Sequence, residues 1–386
     1  MIYLDNGATT FPKPEIVRKA VSDSFAYSAN PGRAGHKMSL KAAETIYNCR
    51  SKIADMFGTD KPENVIFTLS CTLALNTVIK GVLKKGDHVV ISSLEHNSVV
   101  RPLEKLCEAG IITYDIAKVY ENDNDKTLDS FRKSFKDKTK LVICTHASNV
   151  FGNILPVSRI AALCRYYGIL FCLDSAQSAG IINIDINEIG VDFLCAPGHK
   201  GLYGPMGTGF LIINSNTIPD SIYEGGTGSG SSVLTQPQIL PDKFESGTVN
   251  LSGIAGLSAG IDFVNHKGLD SIYHHEMSLI TMLYRRLSQI KGVRLYTAFP
   301  NKGSHVPLIS FNIDGIDCDE VARLLDDKFS IAVRAGLHCS PVAHRHYNTE
   351  DSGTVRVCPS VFTSRNDINI FINAVTKIIN KEKFIH

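Results

Sequence analysis

From about residue 40 to residue 215, short apolar runs alternate with amphipathic stretches. The runs Val65–Phe67, His88–Ser92, Leu141–Thr145, Ile169–Leu173, Phe193–Ala196 and Thr208–Ile213 have the β-rich, apolar character of buried strands. Between them, Thr72–Leu83, Val99–Ala109, Leu128–Phe135 and Ser158–Tyr167 repeat apolar residues every three or four positions, the period of a helix with one buried face. This alternation predicts βα units that build a mostly parallel sheet, an α/β fold.

The pattern changes after the Gly/Ser-rich stretch Gly225–Ser232. A long helix is predicted over Ile272–Ile290, followed by a strand at Leu308–Ile313, a helix at Asp319–Phe329, a strand at Thr354–Val357 and a last helix near Asn366–Ile379. The tail is thus expected to form a smaller α+β domain. The glycine-rich stretch fits a mobile surface connection or an active-site loop between two domains, and its composition leaves both open.

Composition narrows the class. At 386 residues there is room for two or three domains, and 44% hydrophobic with 20% charged residues is a globular balance. Forty Lys+Arg against 38 Asp+Glu, with no basic block, argue against nucleic acid or an anionic membrane surface as partner. Ten Cys are dispersed without a CxxC pair, several inside apolar runs, as expected of thiols in a reducing compartment. The start Met1–Asn6 lacks the basic region and apolar core of a signal peptide, and no apolar run approaches the ~20 residues that cross a bilayer. A cytoplasmic protein is expected.

Five places carry candidate chemistry. Asp174 follows an apolar strand, at the strand end where parallel sheets bind ligands, unless it simply caps a following helix. Gly198-His199-Lys200-Gly201 follows the next strand, and glycines around a Lys suit a desolvated amine able to form a Schiff base. Taken together they are stronger, because pyridoxal phosphate needs both a Lys for its aldehyde and an acid against its ring nitrogen. His96, in Glu95-His96-Asn97-Ser98, offers a flat imidazole that could stack on such a ring. Ser70-Cys71-Thr72 stands between strand and helix, where hydroxyls and free N–H groups suit a phosphate or an ordinary N-cap. Cys339, beside His338 and near Arg334, has cationic surroundings that favour a nucleophilic thiolate.

With these motifs in hand, the chain resembles the cysteine desulfurase family of fold-type I, class V pyridoxal-phosphate enzymes, in particular its group II and selenocysteine lyase-like branch. The resemblance runs nearly end to end, through Tyr3–Thr10, Asn30-Pro31-Gly32-Arg33, Glu95-His96-Asn97, Ser148–Gly152, Asp174–Gln177, Gly198-His199-Lys200, Gly247–Asn250, Arg334–Cys339 and Val355-Arg356-Val357. It implies an N-terminal segment, residues 1–15, that packs with the small domain. A large cofactor-binding domain over 16–255 and a small C-terminal domain over 256–386 carrying the catalytic cysteine would follow.

By the same resemblance, Lys200 would hold pyridoxal 5'-phosphate covalently, Asp174 would face its ring nitrogen, Gln177 its ring hydroxyl and His96 its ring face. Cys71, Thr72 and His199 would line the phosphate site, with Thr248 supplied by the partner subunit of a homodimer. Asn149, Arg334 and Arg356 would face the substrate, with Arg356 clamping its carboxylate. The implied reaction converts L-cysteine to L-alanine and leaves a persulfide on Cys339, from which a sulfur-acceptor protein would collect it. The Cys339 context resembles a short, ordered loop rather than a long mobile one.

Three positions depart from the family's usual pattern. Pro197 stands where relatives carry Ser or Thr, implying altered phosphate anchoring, and Ser70-Cys71-Thr72 replaces Gly-Ala-Thr with added bulk. Cys358–Ser364 replaces a stretch that in many relatives contains Tyr-Asn-Thr, which bears on substrate choice. The alternatives are a selenocysteine lyase, another class V aminotransferase, lyase or epimerase in which Cys339 is incidental, and a thiol or metal carrier using Cys339 with His338, His344 and His346.

Overall fold

A computed structural model describes residues 1–31 and 35–380. The Gly32-Arg33 part of the Asn30–Arg33 motif lies outside the described residues. Seven strands form the main sheet, in the spatial order Val65–Thr68, Gly209–Ile213, Phe193–Pro197, Leu170–Asp174, Thr139–Thr145, His88–Ser92 and Thr113–Ala117. All share one direction except Gly209–Ile213, which pairs antiparallel on both sides. The α/β expectation therefore holds.

Both faces of this sheet are buried except along its edge strand Thr113–Ala117, which explains why the other strands are apolar. Val90, Val142 and Cys144 point into one core with the helices Lys37–Phe57, Val157–Tyr166 and Leu251–Lys267. Val89, Ile91, Leu141 and Ile143 point into the other, against the helices Cys71–Val82 and Asn97–Glu108. Three layers result, and the carboxyl ends of the parallel strands open on one edge.

A second, three-stranded antiparallel sheet, ordered Val355–Val357, Ile309–Ile313, Val293–Leu295, packs with the helices Leu269–Leu287, Cys318–Phe329 and Arg365–Ile379 around its own core. Leu4 belongs to that core, and Ile2–Tyr3 pairs in parallel with Ile331–Ala332. The first residues are thus tied to the C-terminal part of the chain.

The expected strands and helices are present with ends shifted by one to a few residues. Three differences matter. Asp174 is followed by a turn and not by a helix, its Oδ1 accepting the Ala176 N–H at 2.9 Å. The edge strand Thr113–Ala117 was not anticipated, because its partly exposed sequence lacks an apolar run. Nor was Leu251–Lys267, where Gly253, Gly256 and Gly260 lower helix propensity. Packing supplies the reason for them: a Cβ on Gly260 would lie 2.3 Å from the Leu202 carbonyl oxygen. The expected division at 255/256 falls inside this helix, whose Ile254, Leu257 and Ile261 join the larger core.

Candidate active site

The strand ends around Asp174 and Pro197 open into a cavity of about 220 Å³. Of the residues singled out from sequence, Cys71, Thr72, His96, Asn149, Asp174, Gln177, His199, Lys200, Arg334 and Arg356 all line it. These residues come from seven separate stretches of chain, five gathered by the parallel topology at one edge of the sheet and two, with Arg334 and Arg356, supplied by the C-terminal part.

Asp174 ends its strand and Lys200 follows the neighbouring one by three residues. Two close backbone approaches bring them together. A Cβ on Gly201 would lie 2.4 Å from the Ala179 carbonyl oxygen, and one on Gly180, where φ is +80°, would lie 2.3 Å from Gly201. Burial lowers the Lys200 pKa, reinforced by the Arg356 charge and opposed by Asp174. An amine so placed gives up its proton readily and can attach to an aldehyde. Burial pushes the Asp174 carboxyl up, against the Ala176 N–H and the Lys200 charge, so a cation brought into the cavity would favour its ionised form. Gln177 donates Nε2–H to the Gly7 carbonyl at 3.0 Å, leaving its amide oxygen for a ligand.

On the facing side, Ser70 caps the helix Cys71–Val82 through Oγ, which accepts the Leu73 N–H at 3.2 Å. The first-turn N–H groups of Cys71 and Thr72 are left without helical partners, a ready anion site. The Thr72 hydroxyl meets Ser98 Oγ at 2.7 Å, and Ser98 Oγ meets His96 Nδ1 at 2.8 Å. Because that Nδ1 accepts the Ser98 N–H at 3.0 Å, the ring proton sits on Nε2. Burial, with the Lys200 and Arg334 charges, lowers the His96 pKa to about 4, so the ring is neutral. Cys71 departs from its expected role, since its thiol turns away from the anion site to Asp174 Oδ1, 3.5 Å away. Pro197 closes the strand and lines the same cavity. His199 keeps a buried Nδ1 without a partner, and burial with the Lys200 and Lys13 charges lowers its pKa to about 4.

The remaining wall comes from the C-terminal part. Arg356 is 1% exposed, with Nη1 donating to the Asn149 carbonyl at 2.7 Å and Nη2 to Asp5 Oδ1 at 2.8 Å. Asn149 lines the cavity, yet its carboxamide serves the neighbouring loop, with Nδ2 donating to the His338 carbonyl at 2.8 Å and Oδ1 accepting from Ser340 Oγ at 2.6 Å. The Asn97 N–H also bonds the Cys339 carbonyl at 2.8 Å. Cys339 is thus held on three sides in a short loop, at φ +58°. It is the one exposed thiol among the described residues.

Arg334 Nη2 lies 3.7 Å from Cys339 Sγ, where it would meet a sulfur anion. His338 does not fulfil its expected part. Its ring is buried, with Nε2 3.0 Å from the Thr354 carbonyl, and stacks on His344 at 5.8 Å. Burial pushes its pKa far down, so it brings no positive charge to the thiol.

Thr248 is exposed and lies outside this cavity, against the Thr68–Leu69 side of the sheet. Gly225–Ser232 is largely exposed and does not line the cavity of its own chain either. The metal set of the alternative carrier reading, Cys339 with His338, His344 and His346, does not converge; among the described residues, close ligand atoms occur at Asp317, Cys318 and Asp319.

Sequence reading passed over Asp5, Gly7, Lys13 and Ser98. Lys13 donates to the His199 carbonyl at 2.7 Å, directly before Lys200, and Ser98 bridges His96 to Thr72. Ser98 had a local signal, two residues beyond His96 at a helix start, and Asp5 and Gly7 lie in the Tyr3–Thr10 stretch that carries the resemblance without a role being assigned to them.

The donor set fits pyridoxal phosphate. It offers an amine for the aldehyde, a buried carboxylate for the ring nitrogen, and free first-turn N–H groups with hydroxyls for the phosphate. The unpartnered His199 Nδ1 and Arg356 Nε add polar atoms that lack protein partners.

Comparison with known proteins agrees with this geometry. The Aminotransferase class-V family model matches residues 2–371. A probable cysteine desulfurase of Methanothermobacter thermautotrophicus is 34% identical over 387 residues, covering 98% of this chain and 94% of the relative. One of Halalkalibacterium halodurans is 32% identical over 398 residues, covering 100% of this chain and 94% of the relative. Among solved structures, the apo cysteine desulfurase of Thermococcus onnurineus NA1 superposes with a TM-score of 0.90 at 30% identity, over 98% of this chain and 95% of that one.

Proposed function

The chain belongs to the class-V aminotransferase family, whose cysteine desulfurases it matches along almost its whole length, and on that premise we propose that it converts L-cysteine to L-alanine and retains the sulfur as a persulfide on Cys339. The observation that carries the reading is the meeting of Lys200 and Asp174 at one cavity also lined by Arg334, whose guanidinium lies 3.7 Å from the exposed Cys339 thiol.

Pyridoxal 5'-phosphate, when bound, supplies an electron sink for the substrate carbon. Lys200 would hold it covalently. Asp174 would keep its ring nitrogen protonated, Gln177 would meet the ring hydroxyl, and His96 would face the ring. Thr72, His199 and the helix N-terminus would take the phosphate, together with Thr248 of a second subunit in a homodimer. Ser98 fixes both Thr72 and His96, and so offers hydroxyl anchoring on a site where Pro197 has none.

Arg356 takes the substrate carboxylate with the forked geometry of guanidinium. The Lys200 amine, once free, would move the Cα proton. The Cys339 thiolate then bonds to the substrate sulfur as the Cβ–S bond breaks. The electron pair stays on the carbon side and is protonated to give alanine.

The Cys339 loop is tied to Asn97 and Asn149, so its reach is short and an acceptor protein comes to it. All ten cysteines are free thiols, in keeping with work in the cytoplasm.

The test measures alanine and sulfide from L-cysteine, and alanine and selenide from L-selenocysteine, for the wild type, Lys200→Ala and Cys339→Ala. Both variants should lose cysteine turnover. Selenocysteine turnover alone, surviving Cys339→Ala, would make the protein a lyase, and silence on both substrates would point to another amino acid.

A further inference from the structure

The guanidinium of Arg356 already carries a carboxylate. Asp5 Oδ1 accepts from Nη2 at 2.8 Å, with the two side chains 20% and 1% exposed. Nη1 donates to the Asn149 carbonyl at 2.7 Å, and Nε is buried without a partner. Gly7 packs flat against the same group, since a Cβ there would lie 3.1 Å from the guanidinium carbon.

The backbone fixes this arrangement from both sides. Asp5 bridges to Cys358, two residues beyond Arg356, and the Cys358 N–H bonds the Leu4 carbonyl at 2.7 Å. Asn6 adds bonds to the Cys358 carbonyl from its N–H at 3.2 Å and from Nδ2 at 2.9 Å. The acid cannot drift away from the fork.

A buried guanidinium without a counter-ion is costly, and a long side chain that must reorient loses affinity to ordering. Asp5 meets both demands before any substrate arrives. It compensates the charge and pins one prong, so that the remaining N–H groups keep a fixed direction. We infer that Asp5 is a positioning residue for recognition of the substrate α-carboxylate, acting through Arg356. The inference rests on Arg356 being the carboxylate clamp.

The experiment compares, on the holoenzyme, the KM for L-cysteine with the inhibition constant of L-cysteine methyl ester, which has no anionic carboxylate. Asp5→Ala should raise the KM for L-cysteine about tenfold with kcat within about twofold and the ester constant unchanged, so the acid-over-ester preference falls about tenfold. Asp5→Asn, nearly isosteric and still offering an oxygen to Nη2, should recover part of that preference. Loss of folding alone would not move this ratio. A wild-type preference in both Asp5 variants, while Arg356→Lys loses it, would overturn the role of Asp5 and leave the clamp standing. A wild-type preference in Arg356→Lys would overturn the clamp, and the inference with it.

Discussion

Cys71 shows how one side chain can alter a site that its neighbours define. Its S–H approaches Asp174 Oδ1, which also accepts the Ala176 N–H, so that one carboxylate oxygen is occupied and Oδ2 is left for a ring nitrogen. That thiol bond lowers the Asp174 pKa against the upward push of burial. Cys71→Ala should therefore weaken cofactor retention about threefold, the scale of one weak hydrogen bond. Equilibrium dialysis followed by cofactor absorbance reads this, and Cys71→Ser, which keeps a donor, should retain more. Equal loss in both variants would assign the effect to packing. Lys200, Asp174 and His96 were legible from sequence because each stands just after an apolar strand. Asp5 was not, because its partner Arg356 is 351 positions away and nothing local marks the pair.

At the scale of elements, the site depends on two turns lying against each other. The turn after Asp174 and the loop carrying Lys200 touch through Gly180 and Gly201, where any side chain would strike backbone. Gly201→Ala should strain this contact, an overpacking cost of about 1–3 kcal/mol, and move Lys200 relative to Asp174. A lowered melting temperature together with loss of bound cofactor is expected. A melting drop with full cofactor retention would mean that the contact serves stability alone. The strands of the main sheet other than the half-exposed edge Thr113–Ala117 were legible because burial on both faces makes them continuous apolar runs. The helix Leu251–Lys267 was not, since its glycines answer to the close approach of Leu202 and Pro205, which is a tertiary fact. His338 was misjudged for a similar reason, as sequence adjacency to Cys339 says nothing of where a ring turns.

Across the whole molecule, buried titratable groups join the two sheets and set the pH range in which the fold is stable. Glu276, on the helix Leu269–Leu287, accepts from the Tyr203 hydroxyl at 3.3 Å, and that hydroxyl accepts the Val361 N–H at 3.2 Å. Tyr203 in turn bonds the Lys200 carbonyl through its N–H at 2.8 Å. A cavity of about 30 Å³, room for about one water, lies between Glu276 and Lys200. Burial raises the carboxyls of Glu276 and Glu95 to about 8. Their stabilising effect is full below about 4.5, the ordinary carboxyl value, and is lost as pH rises through about 8. Burial lowers His96, His146, His199 and His305 to about 4, so these rings destabilise the fold progressively as pH falls from about 6.5 to about 4. Between about 4.5 and 6.5 the four rings outweigh the two carboxyls, and of these six groups only the carboxyls still change above 6.5. The melting temperature should therefore rise to a maximum near pH 6.5 and decline toward pH 8. Glu276→Gln keeps an acceptor for Tyr203 but cannot ionise, so its decline between pH 6.5 and 8 should be shallower than in the wild type and its rise between pH 4.5 and 6.5 steeper. Parallel alkaline limbs for the two proteins would mean that Glu276 is already ionised in the native state, and that the join between the sheets holds a buried charge.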